Sequence, residues 1–190
     1  MKDLLARHVG TGKMISLTRS RPNEPRLDGY LLGLSDDLGL LHVFTGFEPD
    51  GYNVFRVADV DAVRCCPYEQ WWDHMLQCEQ RLAGLALPHR IDLASMRTAI
   101  STIVAHYDQI IVECEDPEED DEDFYIGVVL KVGATSLRFR HYDGLGYWDE
   151  ETSTIPLEEI TKVQFDNSYI RIFSKYTREG TPPEFPERNG

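Results

Sequence analysis

Short runs in which apolar and polar side chains alternate recur along the chain, and most stop at a cluster of Gly, Asp, Ser or Thr. A period of two turns one face of an extended segment inward, so these runs predict strands. In the first half they are Lys13–Thr18, Asp28–Leu34, Leu38–Phe44, Tyr52–Val57 and Val60–Cys65. In the second half they are Gln109–Glu113, Phe124–Val132, Ser136–Tyr142, Thr152–Leu157 and Ile160–Phe165. Ser35-Asp36-Asp37 and Gly133-Ala134-Thr135 turn the chain after the second strand of each set, and Ala58-Asp59 and Glu158-Glu159 before the fifth. Helical spacing appears at Tyr68–Leu82, started by Pro67, at Leu93–His106 behind a capping Asp92, and at Ser168–Arg178. Leu4–Val9 is a short candidate at the start.

The two sets of strands resemble each other. An offset of 96 lays Met14 and Ile15 on Ile110 and Ile111, and Leu41 and Val43 on Leu137 and Phe139. An offset of 100 lays Phe55, Val57, Val60 and Val63 on Ile155, Leu157, Ile160 and Val163. Both offsets preserve which face is apolar, a demanding match because a slip of one residue exchanges the two faces. The expectation is an internal duplication. The fold class is mostly β with accompanying helices (α+β), as two duplicated five-stranded small barrels, each followed by a helix. Residues 1–86 hold the first repeat, 91–180 the second, and 181–190 a Pro-rich tail. Each half alone would bury only about 60–65% of its unfolded surface, so the halves should pack together, with the helices as the seam.

A bent five-stranded unit with a tight corner before its last strand resembles the Sm-like (SH3-like) small-barrel class. The residues that carry the likeness are Ile155-Pro156-Leu157-Glu158-Glu159-Ile160-Thr161-Lys162-Val163, with Phe55–Val63 at the matched place. Ser35–His42, followed by Asp50-Gly51-Tyr52, is also similar to an uncharacterised group of small bacterial proteins, a likeness that implies no activity. The Sm class implies RNA binding through an Asp-x-aromatic-x-Asn loop and an Arg-Gly pair. Thr45–Gly51 and Asp143–Glu151 contain no Asn, and the chain contains no Arg-Gly. The likeness therefore supplies a shape and little function.

Charge sharpens the picture. Among 190 residues, 19 Lys and Arg face 33 Asp and Glu, a formal charge of −14. Phosphate-backbone affinity is driven by cations, so nucleic acid is an unfavoured partner. Nine of the eleven residues from Glu113 to Asp123 are acidic, whereas the matched connection in the first half carries Arg19, Arg21 and Arg26. Such opposed loops can pair the halves with each other, or one chain with another. Four cysteines without a C-x-x-C pair predict small buried thiols in a reducing compartment, hence a cytoplasmic protein. Met1–Gly10 is not a signal peptide, and no apolar run is long enough to cross a membrane.

The best functional expectation is a soluble, non-enzymatic binding or scaffolding protein that offers an acidic surface to a basic protein partner. Its docking loop would be Glu115, Asp116, Glu118, Glu119, Asp120 and Asp121. Phe47, Asp50, Tyr52, Tyr142, Asp143, Tyr147 and Trp148 are the candidate binding residues, since rings flanked by acids can hold cationic side chains. Trp71 and Trp72 are adjacent, so one belongs to the core and the other to a seam between modules or subunits. Alternatives are an inhibitor or immunity-type protein that mimics nucleic acid, an Sm-like RNA-binding protein, and a hydrolase that gathers His42, Asp50, His141 and Asp143 in one pocket. No cofactor or metal is expected; a homo-oligomer is an option.

Overall fold

The computed structural model describes residues 1–21, 26–82, 85, 87–115 and 123–182. In chain order the elements are α1 (Lys2–Ala6), β1 (Ile15–Arg19), β2 (Arg26–Leu34), β3 (Leu38–Thr45), β4 (Glu48–Arg56), β5 (Val60–Arg64) and α2 (Pro67–Cys78). There follow α3 (Met96–Val104), β6 (Ile110–Cys114), β7 (Asp123–Val132), β8 (Ser136–His141), β9 (Ser153–Pro156), β10 (Lys162–Phe165) and α4 (Ser168–Phe173). All ten expected strands form, with shifted ends. The largest shift is in β4, which starts at Glu48 because Thr45 pairs with Glu48 and leaves only Gly46-Phe47 as the turn. Ser95, not Asp92, caps α3: its hydroxyl accepts from Thr98 N while Thr98 Oγ1 accepts from Ser95 N.

The strands do not close into two separate barrels. They form one open antiparallel sheet in the order β5-β1-β2-β3-β4-β10-β6-β7-β8-β9. The physical reason is the edges. Taken alone, each half would expose the backbone N–H and C=O groups of two end strands; pairing β4 with β10 satisfies one edge of each. At that junction Phe55 opposes Lys162 and Tyr52 opposes Phe165.

The order 5-1-2-3-4 of the first half recurs as 10-6-7-8-9 in the second. The register is shared as well. Leu31 opposes Leu41 just before a bulge in β2, and Val129 opposes Phe139 just before a bulge in β7. These places lie 98 residues apart, two beyond the offset read from the sequence; the shift is even, so the faces agree. In the first strands the correction is odd. Ile15 and Ile110 oppose the matched Gly29 and Gly127, so Ile15 corresponds to Ile110 and not to Ile111. At both glycines a Cβ would stand 2.1 Å from a carbonyl oxygen of the neighbouring strand, His42 O and Arg140 O, which no larger residue could tolerate.

Packing follows the same plan. Ile15, Leu17, Leu31, Leu41, Phe55 and Val60 share one core, closed by Leu5 of α1. Phe55 and Val60 come from the two end strands of their half, so those five strands curl around their own apolar face. In the second half Ile110, Val112, Phe139, Ile155 and Ile160 form the corresponding core, covered by Ile100 and Ile103 of α3. That core also takes in Leu38, Leu40, Tyr52 and Val54 from β3 and β4. The seam is thus the β4–β10 pair with α3. Helices α2 and α4 lie elsewhere: each inserts one inner residue, Leu76 or Ile170, into a smaller cluster that also holds Phe44 or Tyr142. No helix among the described residues is long and apolar enough to cross a membrane.

Candidate functional site

Charged side chains are concentrated where the halves meet. Arg19, at the end of β1, reaches Glu115 just past β6; its Nη2 donates to Glu115 Oε2 at 2.5 Å, and both side chains are almost fully buried. Thr161 Oγ1 donates to the same carboxylate. Arg21 bridges Asp59 and the Glu115 carbonyl, each at 2.7 Å. On the adjoining strands Lys162 Nζ lies 3.0 Å from Glu113 Oε2, and both are buried. Burial raises the Glu113 carboxyl above its ordinary range, against the pull of Lys162 and a hydrogen bond from Gln164. Arg56 donates to three main-chain oxygens of the other half, those of Ile160, Leu157 and Glu158. The opposed charges of the two connections signal part of this arrangement in the sequence. Arg56, Thr161 and Lys162 give no such signal, because a polar residue in a short strand reads as outward-facing.

Glu115 is therefore engaged inside the molecule rather than at its surface. Asp116, Glu118, Glu119, Asp120 and Asp121 lie outside the described residues. Tyr52 and Tyr142, expected beside loops, are core residues. Tyr52 stacks between His42 and Phe165, with ring centres 4.4 and 5.2 Å away. Tyr142 stacks on Phe173 and meets Trp148 edge-on. Asp50 is on β4, and its Oδ1 accepts from Ser168 N at 2.7 Å. Burial tends to raise its carboxyl, yet the bonds from Ser168 and Thr45, with the charge of Arg171, leave it below the ordinary value. Asp143 accepts from Leu145 N and Tyr147 N, fixing the connection that follows β8. Tyr147 and Trp148 already carry cations of this chain: the Arg178 guanidinium is 4.4 Å from the Tyr147 ring centre and that of Arg140 is 5.2 Å from Trp148. Phe47 stacks on Trp72 at 4.5 Å and stays half exposed.

The four residues of the hydrolase expectation are not brought together. His42 is buried, donates to the Leu85 carbonyl, and has its pKa lowered by burial, against the pull of that bond and of Asp166. His141 instead lies between Asp149, 2.6 Å from its Nε2, and Ser153 Oγ, 3.4 Å from its Nδ1. This row of acid, imidazole and hydroxyl was missed because Ser153 and Asp149 are unremarkable in sequence. Asp149 is half exposed, so the row is not enclosed. Among the described residues no group of three or more His, Cys, Asp or Glu could hold a metal ion. Cys114 is a poor nucleophile, its thiol pushed up to about 12 by burial and neighbouring acids.

Helix α2 borders two open spaces. A cavity of about 340 Å³ is walled by Met14, Phe44 and Trp72 and rimmed by Arg26, Arg64 and Tyr68. Both arginines are already paired, with Asp28 and Glu69. A groove of about 470 Å³ runs between the outer face of α2 and Phe47, lined by Trp71, His74, Met75 and Cys78. The two adjacent tryptophans thus divide: Trp72 is half-buried and Trp71 stands in the open. In the groove Cys78 Sγ lies 3.8 Å from His74 Nε2. No protein family matches the chain, and neither curated proteins nor solved structures yield a match.

Proposed function

We propose that the chain is a non-enzymatic binding protein built from a duplicated, bent Sm-like β module, and that its second half docks a basic protein. The observation that carries this reading is the fate of the first half's cations. Arg19, Arg21 and Arg56 are engaged at the seam, and Arg26 and Arg64 with carboxylates beside α2. Arg19, Arg21 and Arg56 are thereby largely withdrawn from the surface, Arg26 and Arg64 stay exposed but paired, and Asp149, Glu150 and Glu151 remain at the surface of the more acidic half. A field of that sign accelerates encounters with basic surfaces and repels nucleic acid. The inhibitor or immunity-type reading is the same mechanism with a cationic enzyme as the partner.

The test is retention of native lysate proteins on the immobilised full chain, eluted with a salt gradient. Basic proteins released between about 0.2 and 0.5 M salt support the proposal. Retained proteins that are not basic, or that resist salt, overturn it. Oligo(U) binding at low salt would favour the RNA-binding alternative. The Asp149–His141–Ser153 row favours one second reading, a hydrolase with Ser153 as nucleophile. Labelling by a fluorophosphonate probe, abolished in Ser153→Ala, would support it; an unlabelled wild type removes it.

A further inference from the structure

Trp71, His74, Met75 and Cys78 follow one another on α2 at helical steps of three and four, and all four line the groove of about 470 Å³ beside Phe47. The inner residues of the helix are used by the fold: Glu69 pairs with Arg64, Asp73 accepts from Tyr30 and from Met14 N, and Leu76 joins a buried cluster. Those contacts leave the outer donors to the groove. Cys78 and His74 are both exposed, and Cys78 Sγ lies 3.8 Å from His74 Nε2. The Trp71 ring backs the imidazole, its centre 5.1 Å away and its plane tilted by 34°.

That separation fits two ligands of one ion. With metal–sulfur and metal–nitrogen bonds of about 2.3 and 2.0 Å, a shared ion holds the two atoms about 3.5 Å apart at a tetrahedral angle and about 4.3 Å apart in a line. The donors are soft, a thiol and a thioether beside an imidazole, and such sets select monovalent copper over hard cations. A low coordination number agrees with the surroundings, since among the described residues no three His, Cys, Asp or Glu converge as a zinc site requires. Cys78 is also the last residue of α2, where the helix dipole favours a cation. Arg81, which lines the groove as well, pairs with Glu48 at 2.9 Å. Metal binding releases the thiol proton to solvent, and the resulting Cu(I)–thiolate unit has no net charge, which an apolar groove accommodates. We propose that the outer face of α2 is a low-coordinate Cu(I) site, with Cys78 and His74 as its ligands and the Met75 thioether as a third donor. No basic partner is needed for this site.

Anaerobic titration of the full chain with Cu(I) in competition with the chromogenic chelator ferrozine tests it. The wild type should withdraw one equivalent from the chelator. Cys78→Ser should lose that equivalent, and His74→Gln should weaken it by about tenfold or more. Both should keep the wild-type circular dichroism spectrum, since both side chains are exposed. Cys114→Ser should bind as the wild type does, and equimolar Zn(II) should leave the Cu(I) in place. A wild type that leaves all the Cu(I) with ferrozine overturns the proposal. So does a folded Cys78→Ser that still takes the ion, a His74→Gln of unchanged affinity, which would mean a thiol acting alone, or displacement of Cu(I) by equimolar Zn(II).

Discussion

Gly39 and Phe55 oppose each other on β3 and β4, and Leu137 and Ile155 oppose each other at the matched place on β8 and β9. One half fills the space with a ring over a glycine, the other with two aliphatic side chains. If the halves are built on one module, the pairs are interchangeable. A Cβ on Gly39 would sit 2.3 Å from Phe55 Cζ and 2.8 Å from both Cε atoms. That is roughly 1 Å inside an ordinary carbon contact, and Phe55 is fully buried with little freedom to retreat. Gly39→Leu should therefore cost about 3 kcal/mol or more through overpacking. Phe55→Ile, which leaves the glycine uncovered, should cost about 1–3 kcal/mol. The double variant restores the Leu–Ile pair and should recover most of both losses, a coupling of roughly 2–3 kcal/mol. In a chain of this length 1 kcal/mol shifts Tm by roughly 2–4 °C, so the singles should melt several degrees low and the double close to the wild type. Thermal and urea unfolding of the four proteins measure the cycle. Losses that merely add in the double variant would refute the shared packing plan.

Two further outcomes are expected. Arg19→Met strands the buried Glu115 carboxylate and should cost roughly 3–5 kcal/mol, whereas Arg19→Met with Glu115→Leu should be much milder; equal losses in urea unfolding would contradict this. Burial lowers the folded-state pKa of His42 below its ordinary 6.5, so the unfolded chain takes the proton first. Its contribution to stability is then present above pH 6.5 and lost as pH falls towards the folded value. Glu113, raised above its ordinary 4.5, acts the opposite way, stabilising below 4.5 and losing that contribution as pH rises through its folded value. His42→Gln should flatten the fall in urea midpoint between about pH 7.5 and 5.5, and an unchanged slope would count against the assignment.

The sequence by itself determined the local elements. Alternation marked all ten strands and a 3.6-residue spacing marked the helices, because each pattern depends only on which neighbours face inward. It also pointed to a similar string of elements in the two halves: inward-facing parity survives the even shift from 96 to 98 in β2, β3, β7 and β8, but not the odd shift to 95 in β1 and β6. Only the tertiary structure decided how the edges are used. Pairing β4 with β10 depends on which end strands meet, and residues such as Phe55 and Lys162 do not advertise that partnership. The same junction decides the fate of the charges: Glu115 and Arg19 look like solvated loop residues until two distant connections are brought together and bury both side chains. Tyr52 reads as a loop ring because the hairpin turn is only two residues long, and β4 carries it into the core. Nor does periodicity separate Trp71 from Trp72; the contact with Phe47 does. Burial is a property of what lies across from a residue, and that is set by chain folding rather than by neighbours in sequence.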